Sequence, residues 1–203
     1  MSEIRQALSR DAVVAAALEI IDERGLDACT MRAVADAVGV EAMSLYWHVP
    51  SKEALLDGVV EMMLVEVEIG RADEEEWRAR IAEFGRAFRR VLLRHPNALP
   101  LLAGRPFGAY TAAGRMTEDG IVSLRQAGFP SQAAIRALRI VSRFVVGFAL
   151  IEISLSRELP PRPAGPSALA DLLEAVATDD PDDLFDFGLE TMIDGLEARL
   201  QRG

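Results

Sequence analysis

The chain is short of several residue types, and each shortage removes a class of function. It contains one cysteine, Cys29, in 203 residues. That excludes an intramolecular disulfide framework and a cysteine-rich zinc site, and it suits a reducing compartment. Its two histidines, His48 and His95, are far apart, and neither has a partner histidine at helical spacing. No metal site is expected from them. There is no glycine-rich phosphate loop and no nucleophile elbow, so neither an enzyme nor a cofactor is expected. Long apolar runs are missing too. The richest, Phe144–Ile151, ends at Arg143 and Glu152, whereas a membrane span needs about 20 residues. The first residues lack the apolar core of a signal peptide. The expectation is a soluble, cytoplasmic protein with no membrane partner.

Lysine is the scarcest of the charged residues. Lys52 is the only one, and arginine supplies the rest of the 22 basic residues, against 32 acidic ones. The net charge of −10 argues against general attraction to nucleic acid, but a whole-chain sum does not decide a site; local charge does. The acidic runs Glu74–Glu76 and Asp179–Asp183 stand where helices are expected to begin, and solvated acids there favour the helix dipole. Cys29 reads as a small core residue.

What is present is helical. Half of the chain is hydrophobic, and the apolar residues recur at helical spacing rather than alternating. Val13, Val14, Ala17, Leu18, Ile20 and Ile21 predict a helix over Arg10–Arg24, with Ser9 as N-cap and Gly25 as stop. Thr30 caps a short helix, Met31–Val38, ended by Gly39. Another spans Glu41–Trp47 and stops ahead of Pro50. Ser51 caps a long helix to about Ile69. Gly70–Asp73 breaks the pattern. Further helices are expected over Trp77–His95, Tyr110–Ala127 and Gln132–Ser156, with short pieces across 97–108. Residues 157–167, rich in proline, form a loop. A short helix at Ala168–Thr178 precedes the last one, opened by Pro181. The fold class is all-α.

The informative stretch is Thr30–Lys52: short helix, glycine turn, short helix. Ala35 where the helices touch, Gly39 in the turn and Leu45 locking the second helix meet the needs of a helix-turn-helix. Here the sequence resembles the tetracycline-repressor (TetR) family. The resemblance is carried by Leu45-Tyr46-Trp47-His48-Val49 followed by Pro50-Ser51-Lys52-Glu53-Ala54-Leu55-Leu56-Asp57. Upstream, Leu8-Ser9-Arg10-Asp11, Gly25-Leu26-Asp27 and Thr30-Met31-Arg32 match the same domain, and Arg89-Arg90-Val91-Leu92-Leu93-Arg94, Gly104-Arg105-Pro106 and Phe144–Leu150 continue it weakly.

The resemblance implies an N-terminal helix-turn-helix domain over 1–55, a connecting helix and linker over 56–72, and a larger helical effector-binding and dimerisation domain over 73–203. It implies that Thr30, Tyr46, Trp47, His48 and Lys52 hold the backbone of a double-stranded DNA operator, while Arg32 reads guanine. Hydroxyl, indole, imidazole and ammonium groups donate to phosphate oxygens, and arginine grips guanine O6 and N7. Ala42, Met43 and Ser44 begin the reading helix. Ala42 and Met43 stand where the family's namesake has an amide-bearing residue and a proline. They cannot hydrogen-bond a base edge but can touch a thymine methyl. The histidines that bind magnesium–tetracycline in the namesake have no counterpart, since Glu68 and Leu101–Leu102 occupy those regions. A small organic effector that needs no metal is expected instead.

Two jobs remain for the second half. Ile140, Gly147 and Ile151 on one long helix, with Phe185, Leu189, Met192, Ile193 and Leu196 on the last, are expected to form half of a homodimer's four-helix bundle; the alternative is that they fill the protomer core. Phe84, Phe88, Leu101, Leu102, Tyr110, Met116, Phe144, Phe148 and Glu152 are the candidate effector pocket. Glu152 either recognises a cationic ligand or pairs with an arginine. The resulting reading is a ligand-released DNA-binding repressor. Its competitor is a helical dimer that binds a ligand or protein but has lost operator recognition.

Overall fold

In a computed structural model, the described residues are 8–69, 76–103, 111–155, 168, 170–171, 174 and 178–202. The expected loop 157–167, Gly104-Arg105-Pro106 and the pocket candidate Tyr110 lie outside them. Every element among the described residues is helical. They are α1 (Arg10–Arg24), α2 (Met31–Val38), α3 (Ala42–Leu45), α4 (Lys52–Val65), α5 (Trp77–Arg94), α6 (Pro100–Ala103), α7 (Thr111–Gln126), α8 (Ser131–Leu155) and α9 (Pro181–Leu200).

The expected boundaries hold where a side chain caps the helix. Ser9, Thr30 and Ser51 each accept a hydrogen bond from a backbone N–H three residues on, at 3.1 Å, and such a cap contributes about 1 kcal/mol. Where no cap exists, the ends move inward. The reading helix is shorter than Glu41–Trp47, because Tyr46–His48 form a turn in which His48 N–H and Val49 N–H both reach Leu45 C=O. The long helix stops at Val65 rather than Ile69, closed by bonds from Glu66 and Val67 back to Met63 and Leu64. A single 3-10 turn, Leu26–Ala28, joins α1 to the Cys29–Thr30 pair.

The chain divides into two compact units. The first comprises residues 1–68 and 94–116; the second comprises 69–93 and 117–203. In the first, α1 supplies Val13, Val14, Ala17, Leu18 and Ile21 to a core completed by Val34, Ala35, Leu45, Val49, Leu55, Val59, Val60, Met63 and Leu64. Full burial of side chains of this size contributes about 1.5–3 kcal/mol each. Gly58 makes the approach of α1 and α4 possible: a Cβ there would sit 2.7 Å from Val14 Cγ2. In the second unit, α5, α8 and α9 meet around aromatic rings. Phe144 stacks on Phe185 with centroids 5.4 Å apart, Phe148 meets Phe185 edge-on at 5.2 Å, and Trp77 meets Phe129 edge-on at 5.1 Å.

Candidate nucleic-acid interface and helical core

The helix-turn-helix is assembled from the residues that its geometry demands. Ala35 and Leu45 are buried at the α2–α3 contact. Gly39 ends α2 at φ +71°, the left-handed region that a glycine enters without steric cost. Val49 is fully buried immediately after α3, so the Tyr46–His48 turn is pinned at both ends by core residues. That pinning forces the intervening side chains outward. Trp47 is 90% exposed and Met43 73% exposed. Tyr46, Arg32 and Lys52 are also exposed, while Ala42, Ser44 and His48 are half-buried.

Trp47 and Tyr46 thus place two aromatic rings, each with a hydrogen-bonding group, at the surface of one turn. Lys52 is the first residue of α4, just after the Ser51 cap. Its charge acts on Cys29, which places the start of α4 beside the start of α2. Cys29 itself is buried, and burial pushes its thiol up despite the opposing effect of Lys52. It stays protonated and is not a nucleophile. Thr30 uses its hydroxyl oxygen as acceptor for the cap, which leaves its O–H free to donate outward.

The candidate effector residues fall in different places. Phe84 and Phe88 are buried on α5 and stack at 5.7 Å; Phe144 and Phe148 lie on α8, 5.7 Å apart. All four belong to the second unit, whereas Leu101, Leu102 and Met116 belong to the first. Glu152 is paired, the second of its two expected alternatives. It holds Arg89 through two bonds, from Nε at 2.9 Å and Nη2 at 2.7 Å. Nη1 donates to Asp182 at 2.6 Å. The guanidinium also lies over the rings of Phe185, 4.8 Å from the centroid, and Phe148, at 5.6 Å. Burial alone would lower the Arg89 pKa, but the hydrogen bonds and charges of Glu152 and Asp182 outweigh it, and the net shift is upward. The sequence does not mark Arg89 as the arginine that pairs with Glu152, because its two acids lie 63 and 93 residues away.

The face of α9 is a correction. Phe185, Leu189 and Ile193 are buried within the protomer, not displayed to a partner, because the aromatic cluster and Gly85 draw that side of the helix inward. A Cβ on Gly85 would sit 2.8 Å from Leu189. The apolar residues that α9 does expose are Leu184 and Phe187, the latter 71% exposed. Met192 and Leu196 are half-buried, as is Gly147 on α8, where Ile140 and Ile151 are exposed.

His95 also has partners that the sequence concealed. Its ring is buried, with Nδ1 2.7 Å from Asp22 Oδ2 and Nε2 3.3 Å from Glu66 Oε2. Among the described residues no group of three or more histidine, cysteine, aspartate or glutamate side chains is arranged to hold a metal ion. None of the helices searched there is long and apolar enough to cross a membrane.

Comparison with known proteins agrees with this architecture. Residues 13–59 match the family of bacterial regulatory proteins called tetR, and residues 70–200 match the tetracyclin repressor-like C-terminal domain. The chain is 36% identical over 204 aligned positions to the class G tetracycline repressor protein of Vibrio anguillarum, covering 94% of each. Its fold superposes on Streptomyces coelicolor ActR in complex with actinorhodin with a TM-score of 0.83, at 28% identity and over 96% of this chain and 99% of that one. It superposes on BioQ bound to its natural double-stranded DNA operator with a TM-score of 0.71, at 28% identity over 94% and 99% of the two chains. With both halves of the architecture matched over nearly their whole length, the chain belongs to the tetR family of ligand-responsive, DNA-binding transcriptional regulators.

Proposed function

We propose that the protein is a homodimeric repressor that binds a near-palindromic operator and is released by a small organic effector without a chelated metal. The observation that carries the reading is the Tyr46–His48 turn. Two core residues, Leu45 and Val49, flank it, Trp47 stands in solvent, and Met43, Arg32 and Lys52 of the same helix-turn-helix stretch are exposed as well. Such a surface gains its partner contacts without rearranging the core. In this reading Thr30, Tyr46, Trp47, His48 and Lys52 position the backbone, Arg32 reads guanine, and Ala42, Met43 and Ser44 meet the adjacent base edges. The DrrR1 repressor of Streptomyces coeruleorubidus, 31% identical over 220 aligned positions, supports the repressor assignment.

The effector is assigned to the aromatic side of the second unit, around Phe84, Phe88, Phe144 and Phe148. The ActR–actinorhodin complex supports a small-molecule effector, and the absence of the namesake's histidines supports metal independence. Dimerisation is assigned to the exposed faces of α8 and α9, with Ile140, Gly147, Ile151, Leu184 and Phe187 at the contact. Operator and effector then compete through two arrangements of the same dimer, and each weakens the other by the same factor, about 5- to 150-fold.

The experiment is selection of binding sites from random duplex DNA by the purified protein. The expected product is a near-palindrome with half-sites about one helical turn apart or a multiple of it. Ligands found by thermal shift are then titrated against the protein–operator complex with and without EDTA. A tight ligand that leaves operator affinity unchanged would defeat the switch, and loss of ligand binding in EDTA would defeat its metal-free character.

A further inference from the structure

We propose that His95 is a proton-operated latch on the end of α4. Four side chains converge around it. Asp22 approaches from the last turns of α1 and Glu66 from the C-cap of α4, at the distances given above. Arg94, the preceding residue, donates to the same Glu66 oxygen, Oε2, at 2.6 Å. Asn97 donates to the backbone carbonyl of Asp22 at 2.8 Å. Among the described residues, the charged and titratable groups bonded to the ring or to its carboxylate partners are therefore Asp22, Glu66 and Arg94; α6, with the sequence Pro-Leu-Leu-Ala, brings none.

Donor and acceptor accounting makes this arrangement sensitive to protons. An ionised carboxylate only accepts hydrogen bonds, and a neutral imidazole has a single N–H. With a carboxylate oxygen at each ring nitrogen, only the doubly protonated ring donates to both. The neutral ring leaves one lone pair facing an anion. The two carboxylates are not equivalent, which decides where the loss falls. The Oδ1 atom of Asp22 is buried without a hydrogen-bond partner, so Asp22 depends on the ring. Glu66 keeps Arg94. The remaining proton therefore stays on Nδ1, at 2.7 Å from Asp22, and Nε2 loses its bond to Glu66. Deprotonation thus keeps the tie to α1 and weakens the tie to α4, which then rests on Arg94 alone. The proton is the ligand, and the element that it holds is the helix whose other end carries Lys52.

The consequence for operator binding rests on the DNA-binding reading above. A head whose α4 is pinned at its far end gives up fewer arrangements when it docks, so the protonated latch favours the complex. The test uses wild type, His95→Gln and Asp22→Asn at pH 5.5 and 8.0 and fixed ionic strength. All three keep the same helix-turn-helix surface, so only ratios between proteins are compared. The wild type's advantage in thermal midpoint over each variant is expected to be greater at pH 5.5 by about 2–4 °C. Its advantage in operator affinity is expected to be greater there by about tenfold.

Equal midpoint advantages at the two pH values overturn the latch. A pH-dependent midpoint with a flat affinity ratio overturns its regulatory role. Failure to bind any operator at either pH, with the midpoint effect intact, overturns the DNA-binding reading and not the latch. Should His95→Gln or Asp22→Asn fail to fold, the His48→Gln chain has His95 as its sole histidine. Nitrogen NMR of that ring then reads its state directly. Both nitrogens protonated at pH 5.5, with Nε2 losing its proton first as pH rises, supports the latch; retention of the Nε2 proton and loss of the Nδ1 proton overturns it.

Discussion

Individual side chains in this protein are separated in role by burial and by the shape of their charged groups. Lys52 and Arg32 are both exposed cations, yet they differ in what they can recognise. An ammonium is a point charge suited to a phosphate, and a guanidinium is a planar fork suited to a guanine edge. Lys52→Ala is expected to weaken binding to all sequences about equally and to lower the salt slope by about one. Arg32→Ala is expected to relax preference at one base pair, at a cost of about 1–3 kcal/mol. Salt titrations on the selected operator and single-base variants check both, and uniform loss by both variants removes the reading role of Arg32. Arg89 marks the opposite extreme. It is buried with a bidentate acid and two aromatic faces, so Arg89→Met strands Glu152 in an apolar setting. The expected cost is about 3 kcal/mol by denaturant unfolding, and the Arg89→Met/Glu152→Leu double variant is expected to recover much of it.

Helices are placed by small residues at contacts as much as by large ones. A Cβ on Gly188 would fall 2.7 Å from Phe144 Cζ, in a ring already stacked against Phe185. Glycine to alanine within an exposed helix gains about 1 kcal/mol. At Gly188 the sign is expected to reverse, with Gly188→Ala losing about 1–3 kcal/mol through overpacking. Gly195 on the same helix has open space where its Cβ would be and serves as the control in the same unfolding series. The α5–α9 pair shows a second device. Arg78 bonds Asp194 and Glu197, Arg86 bonds Asp186, and Arg89 bonds Asp182, so ascending arginines on α5 meet descending acids on α9. This order fixes the two helices as antiparallel. The outer pairs are solvated, where each is worth little, and they set register more than stability. The abundance of arginine over lysine suits this, because the planar fork bonds two acids at once, as Arg78 does.

At the scale of the molecule, the exposed apolar residues of α8 and α9 are the feature that the isolated chain leaves unresolved. Phe187 is expected to lie at the centre of the contact with a second copy. Phe187→Glu is expected to give a folded monomer, with unchanged helical circular dichroism and half the mass by light scattering. Because two heads must reach two half-sites together, the same variant is expected to lose operator affinity while keeping non-specific binding. A dimer that persists in Phe187→Glu removes α9 from the interface.

Local chemistry was enough to determine the helical class, the capped boundaries at Ser9, Thr30 and Ser51, and the glycine turn at Gly39. Each depends on residues within a few positions of one another: a hydroxyl three residues before an N–H, a left-handed glycine, apolar residues one turn apart. The inward face of α9, the capture of Glu152 by Arg89 and the convergence of Asp22, Glu66 and Arg94 on His95 were decided only by the tertiary structure. An amphipathic helix with apolar residues on two sides has no local property that says which side meets its own protomer. A buried charge likewise carries no mark of a partner 60 or more residues away; long-range packing selects that partner, through contacts that exist only once the helices have closed on one another.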